Sequence, residues 1–331
     1  MSMVYRLPNF VARCPRKTTP ISPYFSKLEK EFNKWVDTFP LFGNRERIAY
    51  KSGQIPLFAS LCFPFADLKG LRAIVDLMAA IIFLDKANET ASAEDAERNT
   101  SVYFAAFDHP QTGMASSNYF VQLISRFALG ATAVISEEYK ADFSLLNAAF
   151  ARSTTQEAVE RRAAKMNNLN FTLDTYLPTR RCTMGARPFL VYIRSLKGLK
   201  ISRALLEHPT VKGMELEAVE MVIITNDVYS YKKELRDDGA SHNILTVLMQ
   251  DPTTGCSDLQ HAIDYATNLF NEAMDRFNAY RAVLPKDDPQ LIEYTDAMVD
   301  GLVGGIEWQV MSPRYKVFKT EEDRIKGLMR L

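Results

Sequence analysis

The sequence predicts an all-α protein, on three observations. Apolar residues recur at spacings of three and four rather than two, glycine and proline are sparse at 14 and 15 in 331 residues, and the breaks between periodic stretches are short. The first 24 residues contain Pro8, Pro15, Pro20 and Pro23 and read as an extended segment, which leaves 25–331 as a single helical domain. Leu28 to Val36 is amphipathic, Leu71 to Phe83 is strongly apolar, and Ser116 to Leu129, Leu216 to Leu235 and Asp258 to Tyr280 continue the helical period. Turn-forming clusters separate them: Gly53-Gln54-Ile55-Pro56, Asp237-Asp238-Gly239, Asp251-Pro252 and Leu284 to Pro289. His242-Asn243 begins a further helix, with Asn243 or Ser241 as its cap. No repeat or low-complexity tract divides the chain, so about ten or more helices share one core.

Composition excludes several function classes. Lys plus Arg and Asp plus Glu both number 40, so no basic surface for nucleic acid shows in the totals. The four cysteines form no CxxC pair and the four histidines are scattered, so neither a disulfide framework nor a zinc site is expected. No apolar run reaches the length of a membrane span, and the opening residues lack a signal-peptide core. A cytoplasmic protein, monomeric or homodimeric, is the expectation.

Two helical segments end in oxygen donors. Met78, Ile82, Asp85 and Glu89 are spaced i, i+4, i+7 and i+11, so an apolar stripe finishes in two carboxylates one turn apart, with Asn88 beside them. Such a pair suits a magnesium ion bridging to phosphate oxygens, but taken alone an ordinary solvated helix end is its commoner explanation. Asn226, Ser230 and Glu234 are spaced i, i+4, i+8 and continue the stripe of Leu216, Val219 and Ile223. An amide, a hydroxyl and a carboxylate in one line on an apolar face cost free energy unless paired, and a cation pairs them; a solvated helix end with Lys232, Lys233 and Glu234 as ordinary charges fits the same residues equally well. Lys233 beside Glu234 is placed to donate to a phosphate on that metal.

These residues resemble the fungal, basidiomycete-type class I sesquiterpene synthases. The family's signature (N/D)Dxx(S/T)xxxE is matched by Asn226-Asp227-Val228-Tyr229-Ser230-Tyr231-Lys232-Lys233-Glu234, and its aspartate-rich motif by the degenerate Asp85-Lys86-Ala87-Asn88-Glu89, where Lys86 replaces an acidic or amide residue. Arg180-Arg181-Cys182-Thr183-Met184-Gly185 is similar to the RRxTxG segment, in which one arginine senses diphosphate. Arg181 is favoured by lying one turn before Gly185, the expected helix break, and Arg180 by its separation from Asn226. Gly304-Gly305-Ile306-Glu307-Trp308-Gln309-Val310-Met311-Ser312-Pro313-Arg314-Tyr315 resembles GNxxWxxxSxRY, with Gly305 in place of Asn. Trp308 and Tyr315, at i, i+7, are expected on one helical face.

The resemblance spans nearly the whole chain and implies a single-domain class I α-helical bundle enclosing an apolar cavity. It implies three magnesium ions, with Asp85, Glu89, Asn226, Ser230 and Glu234 as metal ligands. Arg180, Arg181, Lys233, Arg314 and Tyr315 are implied as diphosphate-binding groups and Trp308 as an aromatic cavity wall. The implied substrate is a prenyl diphosphate, farnesyl diphosphate first, and the product a sesquiterpene. A monoterpene or acyclic-alcohol synthase of the linalool or nerolidol type shares these motifs. A chain-elongating prenyltransferase does not, because Asp237-Asp238 and Asp287-Asp288 lack the third acid of its DDxxD pairs. A non-catalytic isoprenoid-binding protein is the remaining alternative.

Overall fold

The computed structural model describes residues 3–39, 43–89, 91–165, 171–237, 240–285 and 288–331. It is all-α apart from one short strand pair. The helices are, in order, α1 (Phe25–Thr38), α2 (Asn44–Gly53), α3 (Ile55–Cys62), α4 (Leu68–Glu89), α5 (Ala93–Asp108), α6 (Pro110–Met114), α7 (Tyr119–Thr132) and α8 (Lys140–Lys165). There follow α9 (Leu173–Thr183), α10 (Arg187–Leu196), α11 (Arg203–Leu206), α12 (Pro209–Arg236), α13 (Ile244–Gln250), α14 (Leu259–Ala282), α15 (Pro289–Met311) and α16 (Glu321–Lys326). The Asp238-Gly239 part of one expected turn and Lys286-Asp287 of another lie outside the described residues.

Local chemistry sets the helix ends. Ser92, Asn118, Asp258, Asp288 and Thr320 each cap a following helix by accepting from a backbone N–H of its first turn. Prolines occupy the first turn of α3, α6, α10, α12 and α15, where their missing N–H has no helical partner to lose. Asn243 caps α13 by accepting from Leu245 N at 3.0 Å, as the sequence predicts.

The chain forms two compact units. One comprises residues 21–163 and 179–200. Its centre is α4, apolar on nearly every side, against which α3, α5 and α7 pack. Buried Tyr103, Phe127 and Phe150 fill the surrounding space. The other comprises residues 1–20, 164–178 and 201–331, with α12 packed against α13, α14 and α15. Arg276 of α14 clamps Glu217 of α12 with two bonds of 2.8 and 2.9 Å. The N-terminal segment is only partly extended. Val4–Arg6 (β1) pairs antiparallel with Leu328–Arg330 (β2), Val4 opposite Arg330. Phe10–Arg13 is a turn of 3-10 helix that buries Phe10 against Tyr229 and Phe270. An apolar anchor and a strand partner thus give this segment structure that its prolines alone do not suggest.

Candidate active site

The α12 donors stand as their spacing requires. Val219 and Ile223 are buried, and the line continues through Asn226 and Ser230, 8% and 2% exposed. Asn226 Nδ2 donates to the Tyr315 hydroxyl at 3.3 Å, and of the two amide atoms the oxygen is the one whose chemistry suits a cation. Asp227, the acidic neighbour within the signature, is fully buried and does other work. Its Oδ2 accepts from the Tyr176 hydroxyl and, at 3.1 Å, from Ile244 N, tying α12 to α9 and α13. Ser230 Oγ reaches the Asp227 carbonyl only at 3.5 Å, a weak bond that a cation readily replaces. Glu234 Oε2 accepts from Asn243 Nδ2 at 2.8 Å. Lys233 pairs with Asp237 at 3.6 Å, one turn further along α12.

Trp308 and Tyr315 do not share a helical face. Helix α15 ends at Met311, because Pro313 has no N–H to donate and holds Ser312 extended at ψ 130°. The chain then turns, with Tyr315 N bonded to Ser312 O, and the Trp308 and Tyr315 rings meet edge to face at 5.3 Å. Arg314 lies 6.0 Å from the Tyr315 ring centroid, and its backbone N–H donates to Ser312 Oγ. Burial is the main reason the Tyr315 phenol is pushed up from its ordinary range, opposed by Arg314 and Asn226, so the hydroxyl keeps its proton.

In the other unit, the last turn of α4 presents Asp85 and Glu89. Loss of hydration raises the Asp85 carboxyl, Glu157 and Glu89 raise it further, and Arg161 and Arg180 oppose them. Burial pulls the Arg161 guanidinium down, but Glu157, Asp85 and Glu89 outweigh it and hold the charge. Glu157 and Arg161, ion-paired one turn apart on α8, are the members that sequence reasoning missed. Nothing in a run of alternating charges on a long helix marks which of them turn inward. The charge of Arg180, one of the two adjacent arginines, acts on Asp85. Asn88 belongs to the scaffold: its amide donates to Thr154 Oγ1 at 2.9 Å and accepts from Asn99 at 3.1 Å. Lys86 is exposed and reaches Glu89 at 3.4 Å. Gly185 breaks the chain between α9 and α10 with φ +67°.

The donors fit magnesium in kind, being carboxylate, amide and hydroxyl oxygens, with Asp85 held where added positive charge relieves crowded carboxylates. Among the described residues no three acidic, histidine or cysteine side chains form a metal cage. Magnesium ordinarily keeps several water ligands, so it needs only one or two protein donors at a site.

Comparison with known proteins agrees with this chemistry. The model of terpene synthase family 2, C-terminal metal binding, matches residues 75–276. Sesquiterpene synthase 1 of Postia placenta is 26% identical over 321 residues, covering 93% of this chain and 89% of that protein. The Delta(6)-protoilludene synthase of Armillaria gallica is 24% identical, covering 89% and 84%. Among solved structures, linalool/nerolidol synthase from Streptomyces clavuligerus superposes with a TM-score of 0.74 at 17% identity, covering 89% of this chain and 98% of that one. An a-eudesmol synthase superposes with 0.75 at 19%, covering 90% and 98%. At those identities the structural likeness establishes the fold.

Proposed function

We propose, from the fact that the chain belongs to terpene synthase family 2 and is a class I terpene synthase, that it converts farnesyl diphosphate to a sesquiterpene hydrocarbon or alcohol with magnesium as cofactor. The observation that carries the reading is the buried hydrogen bond between Asn226 and Tyr315. It joins a metal donor to a diphosphate-binding pair across 89 residues of sequence.

Asn226, Ser230 and Glu234 would hold metal on α12, and Asp85 with Glu89 would hold it on α4. Bound magnesium supplies positive charge to the diphosphate oxygens, which makes diphosphate a good leaving group. Arg314 and Lys233 add fixed positive charge to the same oxygens, Arg180 or Arg181 senses them, and the Tyr315 hydroxyl donates to them. The allylic carbon–oxygen bond then breaks heterolytically, the electron pair leaving with diphosphate. The π faces of Trp308 and Tyr315 stabilise the cation that remains. Loss of a proton or capture of water ends the reaction. No helix among the described residues is long and apolar enough to cross a membrane.

The test is incubation of purified protein and magnesium with geranyl, farnesyl or geranylgeranyl diphosphate, followed by gas chromatography–mass spectrometry. Cyclised C15 products are expected from farnesyl diphosphate, and products from geranyl diphosphate alone select the monoterpene reading. Asp85→Ala and Asn226→Ala are each expected to abolish product while keeping the helical circular dichroism. Full turnover by either variant, or after removal of divalent metal, refutes the reading.

A further inference from the structure

We propose that Asn243 is a positioning residue for the metal-binding helix, holding the Glu234 carboxylate in the orientation that binds a divalent cation. The inference rests on the reading of Glu234 as a metal ligand.

Asn243 sits outside the signature and is fully buried at the start of α13. As a helix cap it needs one acceptor atom, and Oδ1 supplies it to Leu245 N. The other end of the amide has a second task. Nδ2 donates at 2.8 Å to the Asp227 carbonyl and at 2.8 Å to Glu234 Oε2. Asp227 and Glu234 are seven residues apart on α12, two turns along one face. The amide therefore spans the helix segment that carries the metal donors and fixes the carboxylate at its far end.

Serine, threonine and aspartate cap helices as well as asparagine does, so capping alone does not call for an amide here. Only asparagine among them offers two donor hydrogens together with an acceptor. The backbone around it is held independently: Asp227 Oδ2 takes Ile244 N and the Tyr176 hydroxyl, so α13 stays attached to α12 without the amide nitrogen. Partners that orient a metal ligand in this way typically change metal affinity by about 10–100-fold when removed.

The experiment compares wild type, Asn243→Ser, Glu234→Ala and the double variant. Mn²⁺ binding in the presence of inorganic diphosphate is read by electron paramagnetic resonance, beside metal-free thermal melting. Serine keeps the cap and lacks the second donor. The expected result is Mn²⁺ affinity lowered about 10-fold or more in Asn243→Ser, with metal-free melting little changed. The double variant is expected to bind no more weakly than Glu234→Ala alone, because the amide acts only through that carboxylate. Wild-type affinity in folded Asn243→Ser overturns the proposal while leaving the metal reading intact. Failure of wild type to bind Mn²⁺ overturns both. If Asn243→Ser does not fold, Asn243→Thr is read in the same way. Collapse of both variants assigns the residue to the fold alone and overturns the proposal.

Discussion

Neighbouring residues on α12 have opposite fates, and hydrogen bonding decides which. Asn226 spends its amide nitrogen on Tyr315, whereas Asp227 spends its carboxylate on Tyr176 and the α13 backbone. The phenol of Tyr315 thus holds the amide of the proposed metal donor Asn226, in addition to its proposed contact with diphosphate. Tyr315→Phe separates these duties from packing, because the ring keeps its edge contact with Trp308. The lost bond is 3.3 Å long and neutral, so folded stability is expected to change by less than about 1.5 kcal/mol. With the Asn226–Tyr315 bond removed, turnover should need several-fold more magnesium for half its maximum. Metal titration of the initial rate measures this, and an unchanged requirement removes Tyr315 from metal positioning.

At the scale of elements, the join between α9 and α10 depends on one backbone conformation. Gly185 has φ +67°, where a side chain costs about 1–2 kcal/mol. A Cβ there also stands 3.2 Å from two carbons of Ile81, which lies one turn before Asp85 on α4. Gly185→Ala is therefore expected to lose about 1–3 kcal/mol of stability by urea unfolding; an unchanged midpoint shows that the turn does not need a left-handed residue. This break was legible in the sequence, as were the long helices, because a 3.6-residue period and cap residues are local signals. Burial is not local. Spacing puts Leu216 on the stripe of Val219 and Ile223, yet it is 40% exposed, since a helix face is buried only where another element covers it. The Trp308–Tyr315 contact shows the same limit: spacing assumed an unbroken helix, and Pro313 ends it first.

For the whole molecule, the sequence exposes candidate ligands that share a helix and hides groups brought together from separate ones. Asn226, Ser230 and Glu234 are visible because one helix carries all three, whereas Glu157 and Arg161 come from α8 to the carboxylates of α4 by tertiary packing alone. The same packing creates acids whose burial the whole fold must carry, and these set how stability depends on pH. Asp76 on α4 is raised to about 7 by burial, with Arg72 and Arg126 opposing. Its surroundings are crowded: a Cβ on Gly130 of α7 would collide with its carboxylate, and Arg126 stacks on Trp35 at 5.4 Å from the ring centroid. In the unfolded chain this carboxyl titrates near its ordinary value of 3.8, so between there and about 7 the folded state holds a proton that the unfolded state has lost. Stability from this group is therefore fully present below the unfolded value and declines as pH rises through about 7. Asp85 and Glu160, also raised chiefly by burial, tilt the curve the same way. Asp76→Asn removes the ionisation while keeping the shape. Each pH unit between the two values is worth about 1.4 kcal/mol, and the rise to about 7 already includes the opposing pull of the two arginines. The variant should therefore be more stable than wild type by about 3–5 kcal/mol near pH 8, with the gap closing as pH falls toward the unfolded value of 3.8. Chemical unfolding of both proteins across that range tests the assignment, and parallel curves would show that Asp76 ionises without cost in the fold.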